Sequence, residues 1–519
     1  MLNFLKLRSE NWLPGIFILV TAIIALNLRF EIGHMRNLAF LLSAVLVMYG
    51  VFRPWLLLLS LIVSLFSIEP TPKDVGASEI IIAVMAVLYV LATYTNEIYK
   101  GNIKALKSPL ISSVIFSSLV LASCYYATNQ GVSFADWMRG IFPFLLLYLS
   151  IPISITLKED FSFRIKWVLI ACAVLTLLIL GYINSVFFVQ GFYKIYWLNE
   201  DGFKVYNSEV WNSDTLSGPF LDRITLTIQQ ATSELLPLGL VVFTLVSLFT
   251  KKPNIKIASM GCAALSLFAI LETYTRSMLL SSIIVLGLVG LWLFFYKRDL
   301  INAYLKICTV LVMLSLTFVS TLDTNSVWLG RISVFFKTIY HVNDRSVYLP
   351  SDNSNKDDNL LSRIVEYKIA WSQFSKKPLF GAGIGARHDI NFPLSNGQYI
   401  HKKVGYIHNW IFYWLMVGGL AGVILYSSFI IIPLYYVTRL PSEAWKLKVL
   451  VVSIMLTMTF YSLFFAVFRL LTFNLIFAII WGISFCLRQN EKLASQELFV
   501  ESSRVRFDSA MGDTRGCVV

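Results

Sequence analysis

Apolar runs recur along the chain with the charged residues gathered in the gaps between them, and this pattern limits the fold more than any other feature. The runs lie near 13–28, 38–52, 55–68, 80–95, 109–126, 140–157, 167–189, 226–249, 257–273, 277–296, 303–321, 410–434, 449–467 and 470–487. Crossing the hydrocarbon of a bilayer takes about 20 helical residues, and a chain in lipid must satisfy its own backbone hydrogen bonds, which helices do. With 57% of residues hydrophobic and 14% charged, no soluble core accounts for so much apolar surface. The expected fold is all-α, a polytopic membrane bundle of about 12–14 spans. The count is open because the runs at 38–52 and 55–68, divided by Arg53-Pro54, form either two spans or one re-entrant hairpin.

Basic residues orient the bundle. With the N-terminus inside, the inner loops carry Lys100/Lys104/Lys107, Lys158/Arg164/Lys166, Lys251/Lys252/Lys256, Lys297/Arg298 and Arg439/Lys446/Lys448. The short outer loop with Arg29 and Arg36 dissents. The N-terminal run follows Lys6 and Arg8 without a small-residue cleavage site and is read as a retained first span. The expected organisation is a bundle of about eleven spans over 1–321 with an outer loop near 190–223. A large outer loop follows over 322–408, then the C-terminal spans over 409–487 and an inner, solvated tail over 488–519.

Net charge is +13, for which basic inner loops and an anionic ligand are both available causes. No nucleic-acid partner is expected. Five of the six cysteines sit in apolar runs and Cys517 is two residues from the last residue given, so neither a disulfide framework nor a thiolate metal site is expected.

The outer loop at 190–223 is rich in aromatics: Phe192, Tyr193, Tyr196, Trp197, Phe203, Tyr206 and Trp211. Such rings stack on sugars or anchor a protein at the membrane surface, and the two readings are even. In the larger loop, 351–359 is polar and reads as a flexible lobe. Leu361, Ile364, Val365, Ala370, Trp371 and Phe374 then recur at helical spacing, with Asp357, Asp358 or Asn359 as caps and an end near Pro378. This helix is expected along the membrane surface or capping the bundle. Gly381 to Gly385 (GAGIG) lacks the preceding strand and Lys-Ser/Thr ending of a phosphate loop. It reads as a turn that lets backbone approach the bundle.

Charges at the edge of a bilayer are costly unless paired or hydrated. Arg139, Arg223, Arg276, Arg331, Arg363, Arg387 and Arg469 all fall on the outer side, against the charge bias. Any one of them is explained by snorkelling or by an acid such as Glu234, Glu272 or Glu366. Arg223 and Arg276, both at span ends on the side of His408, favour an anionic ligand, since guanidinium pairs bidentately with phosphate. His408 and Asn409 stand where the large loop meets an apolar helix, followed by Gly419 and Gly422. The glycines suit a helix-packing groove, and Asn409 a helix start.

His-Asn, nine residues, Gly, two residues, Gly is similar to the signature of the bacterial O-antigen ligase family and its relatives, the O-antigen polymerases and protein O-oligosaccharyltransferases. TRSMLLSSIIVLGLVG around Arg276 and the stretch from Arg363 to His388 resemble that family's arginine-led span and outer-loop segment. The resemblance covers about Arg223 to Phe485. It implies metal-independent, cofactor-free, inverting transfer of a glycan from undecaprenyl diphosphate to a hydroxyl, at the periplasmic face of the bacterial inner membrane. The acceptor is lipid A core for a ligase or a growing polysaccharide for a polymerase. By carry-over, His408 is the catalytic base, and Arg223 and Arg276 grip the diphosphate. Arg363, Arg387, Arg139 and Asn409 are expected at the substrate. Metal-dependent lipid-linked glycosyltransferases need an acidic pair in the first outer loop, which here offers only Glu31. The competing class is a lipid-glycan flippase or other transporter, for which two similar halves and short loops are expected.

Overall fold

The computed structural model describes residues 2–30, 36–67, 77–101, 131–197, 235–272, 275–321, 358–393, 399–405, 407–439 and 445–486, with a few isolated positions between 117 and 129 and at 333. In chain order the helices are α1 (Leu2–Phe30), α2 (Arg36–Phe52), α3 (Pro54–Ser64), α4 (Ala77–Tyr99), α5 (Phe134–Leu145), α6 (Ser150–Lys158) and α7 (Phe161–Trp197). They continue as α8 (Leu235–Phe249), α9 (Pro253–Glu272), α10 (Arg276–Tyr296), α11 (Arg298–Thr321) and α12 (Asp358–Lys376). After a hairpin of β1 (His388–Pro393) and β2 (Tyr399–Val404) come α13 (Trp410–Thr438), α14 (Trp445–Phe464) and α15 (Leu471–Cys486).

The architecture is the expected all-α polytopic bundle. Eight described helices are long and apolar enough to cross a membrane, and five shorter apolar ones accompany them. These fall on the apolar runs read from the sequence, except that of 109–126, which lies almost wholly outside the described residues. The run at 140–157 is divided into α5 and α6 by a 3-10 turn over Leu146–Leu149, between Pro143 and Pro152, whose rings cannot join the regular helical ladder.

Around α3 the N-terminal half is organised as a packed post. Leu56, Leu57, Leu58, Leu59, Leu61, Ile62 and Val63 are each fully buried, so this helix is apolar all round because it meets protein all round. α1, α4 and α7 pack on it. With its 3-10 extension to Ser67 it spans ~21 Å, short of the ~30 Å hydrocarbon. In the C-terminal half α14 packs against α8, α10 and α13, and α9 joins the halves by packing on α7 and α8.

Contacts between loops sort the two ends of the bundle as the basic residues do. Lys100 pairs with Glu159, Lys446 donates to the Phe249 carbonyl (3.3 Å), and Lys297 lies 5.1 Å from the Trp445 ring centre. All are residues placed at the inner face by the sequence. At the opposite end Arg387 pairs with Asp136, and α12 meets the start of α13.

Three local expectations change. α7 runs through to Trp197, so the backbone of Phe192 to Trp197 is helical rather than the start of a loop; Gly191 alone does not stop a run of apolar and aromatic residues. Asp358 and Asn359, read both as the end of a flexible lobe and as possible caps, are the first residues of α12. The segment after the GAGIG turn forms an antiparallel hairpin, His388 opposite Val404 through Pro393 opposite Tyr399, where no strand was expected. Most of the aromatic loop, the remaining lobe and the tail lie outside the described residues.

α13 is broken rather than merely grooved. Gly419 adopts φ 60° and ψ −155°, which only glycine enters readily. The break removes two helical bonds, Met416 C=O to Leu420 N–H and Val417 C=O to Ala421 N–H. Chain segment 378–383 replaces both. Ala382 and Gly383 N–H donate to Met416 and Val417 O (2.8 and 3.0 Å), while Leu420 and Ala421 N–H donate to Pro378 and Leu379 O (2.9 and 3.1 Å). Gly381, with φ 66°, lies so close that a Cβ there would sit 2.5 Å from the Val417 carbonyl carbon. Gly419→Ala is therefore expected to destabilise the fold by roughly 2 kcal/mol or more, read as a Tm several degrees lower in detergent. Gly287→Ala, in α10 with nothing within 4 Å of its Cβ position, should leave Tm near that of the parent.

Candidate functional site

Asn409 starts α13. Its side-chain oxygen accepts from Ile411 and Phe412 N–H (2.9 and 3.3 Å), capping two of the helix's orphan donors. Its amide nitrogen donates to the Leu463 carbonyl (3.0 Å), tying this start to the end of α14. The side chain thus takes the helix-start role, one residue from the imidazole of His408.

His408 faces α12. Its Nδ1 lies 2.8 and 2.9 Å from the two carboxylate oxygens of Glu366, and its backbone N–H donates to the same carboxylate at 3.0 Å. Arg363, one turn back along α12, adds Nη1 at 3.4 Å. When the Glu366 carboxylate is ionised it only accepts hydrogen bonds, and in that state the ring proton sits on Nδ1 and the ring lone pair on Nε2. The Glu366 side chain is 6% exposed and that of His408 16%. Burial pushes the Glu366 carboxyl up to about 7, with Arg363 pulling the other way.

Packing holds the pair. Tyr367 of α12 stacks on Phe412 of α13 with ring centres 4.5 Å apart and planes 10° from parallel. The His408 ring sits 5.7 Å from Phe465, just past α14. Beneath lies a buried aromatic floor: Phe144, Tyr413, Trp414, Tyr426 and Phe468, with Phe144 4.9 Å from Trp414 and Tyr413 5.2 Å from Phe468. Arg469 lies 5.7 Å from the Tyr413 ring centre, which brings another outer arginine to the first turn of α13.

Arg276 opens α10 and is partly buried. α10 packs antiparallel to α14, with Trp292 stacked on Trp445 at the inner end (5.9 Å). Counting outward equally along both helices puts Arg276 level with Tyr461, whose ring stacks on Phe465 (5.8 Å). Arg276 and His408 therefore flank the outer end of α14.

The remaining sequence candidates divide. Arg363 joins the His408 site through Glu366, the pairing that the sequence offered as the alternative to a ligand. Arg387 pairs with Asp136, itself fixed by the Ser133 cap of α5. Arg139 lies on α5, one residue before Gly140, whose Cβ position would be 3.1 Å from Gly385 N; its side chain is not described. Arg223 and Arg331 lie outside the described residues. No group of three His, Cys, Asp or Glu side chains suited to a metal ion occurs among the described residues. Glu366 was legible in the sequence only as a possible partner for an arginine. The signal that could have marked it as buried is its place four residues before the apolar Ala370, on the same face of α12.

The family model described as O-Antigen ligase matches residues 261–427, from within α9 to just past the break in α13. That segment belongs to the O-antigen ligase family. No curated protein matches the chain. The matched segment contains Arg276, Glu366, His408 and both sides of the contact between segment 378–383 and the break at Gly419. The matched segment is similar to membrane glycosyltransferases of the general ligase and polymerase type, and the apolar helices around it are those of a multi-pass membrane protein.

Asn409→Ala is expected to cost about 1 kcal/mol through the lost cap, seen as a lower Tm. Asn409→Ser, which keeps a capping oxygen, should recover most of it.

Proposed function

We propose that the protein transfers a glycan from undecaprenyl diphosphate to an acceptor hydroxyl at the periplasmic face of the bacterial inner membrane, by a metal-independent, inverting displacement. The observation that carries this reading is the seating of His408 with Nδ1 on Glu366, beside the outer end of the helix that Arg276 also flanks. Nε2, holding the lone pair, takes the acceptor hydroxyl's proton as its oxygen attacks C1 of the donor sugar. The C1–O bond to the diphosphate breaks and its electron pair stays on the phosphate oxygen. Arg276, with Arg223, holds the diphosphate and stabilises the charge that develops there, as prepositioned cations do in a poorly hydrated site. A histidine titrating near neutrality suits base catalysis at ambient pH. Arg139, Arg363, Arg387 and Asn409 border the substrate path; of these, Arg363 and Asn409 act through the seat of the base rather than by direct grip.

The acceptor is lipid A core or a growing polysaccharide.

His408→Ala should lower transfer by at least about 100-fold while leaving donor binding intact, whereas Arg276→Ala should weaken donor binding. Surface glycan from the His408→Ala strain separates the two acceptors. Single repeat units on core mark a polymerase, and long undecaprenyl-linked polymer with bare core marks a ligase. Normal glycan at normal protein level would overturn the proposal.

A further inference from the structure

We infer that Glu366 is a positioning residue for the transfer reaction, holding the His408 imidazole in one tautomer and balancing the imidazolium that forms when the acceptor proton is taken. The inference rests on His408 being the base.

Three donors converge on this one carboxylate: the His408 ring Nδ1 at 2.8 and 2.9 Å, the His408 backbone N–H at 3.0 Å and Arg363 Nη1 at 3.4 Å. Gripping ring and backbone of the same residue removes the freedom of the ring to flip about its χ2 angle, so Nε2 keeps one direction. The carboxylate lies on a different element from the base, 42 residues earlier in the chain, and is buried. A surface ion pair of this kind would contribute little. Here poor hydration strengthens the interaction, and an unpaired carboxylate would be costly.

The charged and titratable neighbours bear on the outcome. Arg363 and Tyr367 face Glu366 from α12, and His408 faces it from the loop before α13, with Asn409 adjoining Tyr367. Arg363 keeps the site from carrying a net negative charge when His408 is neutral. As the acceptor O–H proton moves to Nε2, the ring becomes cationic and the carboxylate opposite Nδ1 stabilises it without itself taking the proton. The proton then leaves Nε2 for water after the sugar has been transferred.

The test compares Glu366→Gln, Glu366→Asp and His408→Ala in the full-length protein, purified in lipid nanodiscs and assayed with a polyprenyl-diphosphate-linked sugar over pH 5 to 9. Glu366→Gln preserves shape and an acceptor oxygen but removes the charge. It should lower kcat at least about tenfold with donor KM unchanged, since the charge acts on the transition state. Loss of the negative partner disfavours the imidazolium, so the acidic limb of the pH profile should move about one unit lower. Glu366→Asp should restore part of kcat and return the limb toward its original position. A purely structural role would lower Tm and the amount of active protein, leaving the limb in place. Parent-like kcat and pH profile in Glu366→Gln, with His408→Ala inactive, would overturn this inference alone. An active His408→Ala would overturn the proposed reaction itself.

Discussion

The break in α13 at Gly419 is the constraint on which the outer end of the protein depends. A helix interrupted in apolar surroundings leaves carbonyl and N–H groups that each cost about 1–3 kcal/mol if unpaired. Segment 378–383 supplies all four partners, so the end of the outer loop is not merely resting on the bundle but completing its hydrogen bonding. One consequence is register. Leu420 bonds to Pro378 across 42 residues, and His408 bonds to Glu366 across the same separation. α12 and α13 thus run side by side in one direction and in step, and fixing their far ends at the break fixes where the carboxylate meets the imidazole. The Tyr367–Phe412 stack lies near the second end and holds the same alignment.

That alignment places titratable groups on a rigid, apolar base. The aromatic floor from Phe144 to Phe468 excludes water below, while the outer end of α14 gathers Phe465, the flank of Arg276 and, one short turn on, Arg469. A lipid-linked diphosphate presents its charge at this level of a bilayer, with its chain in the hydrocarbon.

Much of this was legible in the sequence because membrane helices announce themselves by composition. The apolar runs match α1 to α11 and α13 to α15, that of 109–126 lying almost wholly outside the described residues, and helical spacing from Leu361 to Phe374 matches α12. The GAGIG segment was correctly read as backbone approaching the bundle. Its target was not, because Gly419 and Gly422, three residues apart on one face, look like a packing groove, and a break depends on φ and ψ that spacing does not encode. The β1–β2 hairpin was missed although Ser395-Asn396-Gly397 is a strong turn signal; Lys402 and Lys403 interrupt the alternation that would have marked the second strand. Glu366 was seen only as an acid near arginines, since nothing local ties it to a histidine 42 residues away.

The most direct test of the account is a cryo-EM structure of the protein in a nanodisc with a polyprenyl-diphosphate-linked sugar bound. The account requires the diphosphate within hydrogen-bond reach of Arg276 and the sugar's C1 on the side of Phe465 from which His408 Nε2 can reach an incoming hydroxyl. A donor seated with its diphosphate away from Arg276, or with C1 separated from His408 by the α14 end, would contradict it.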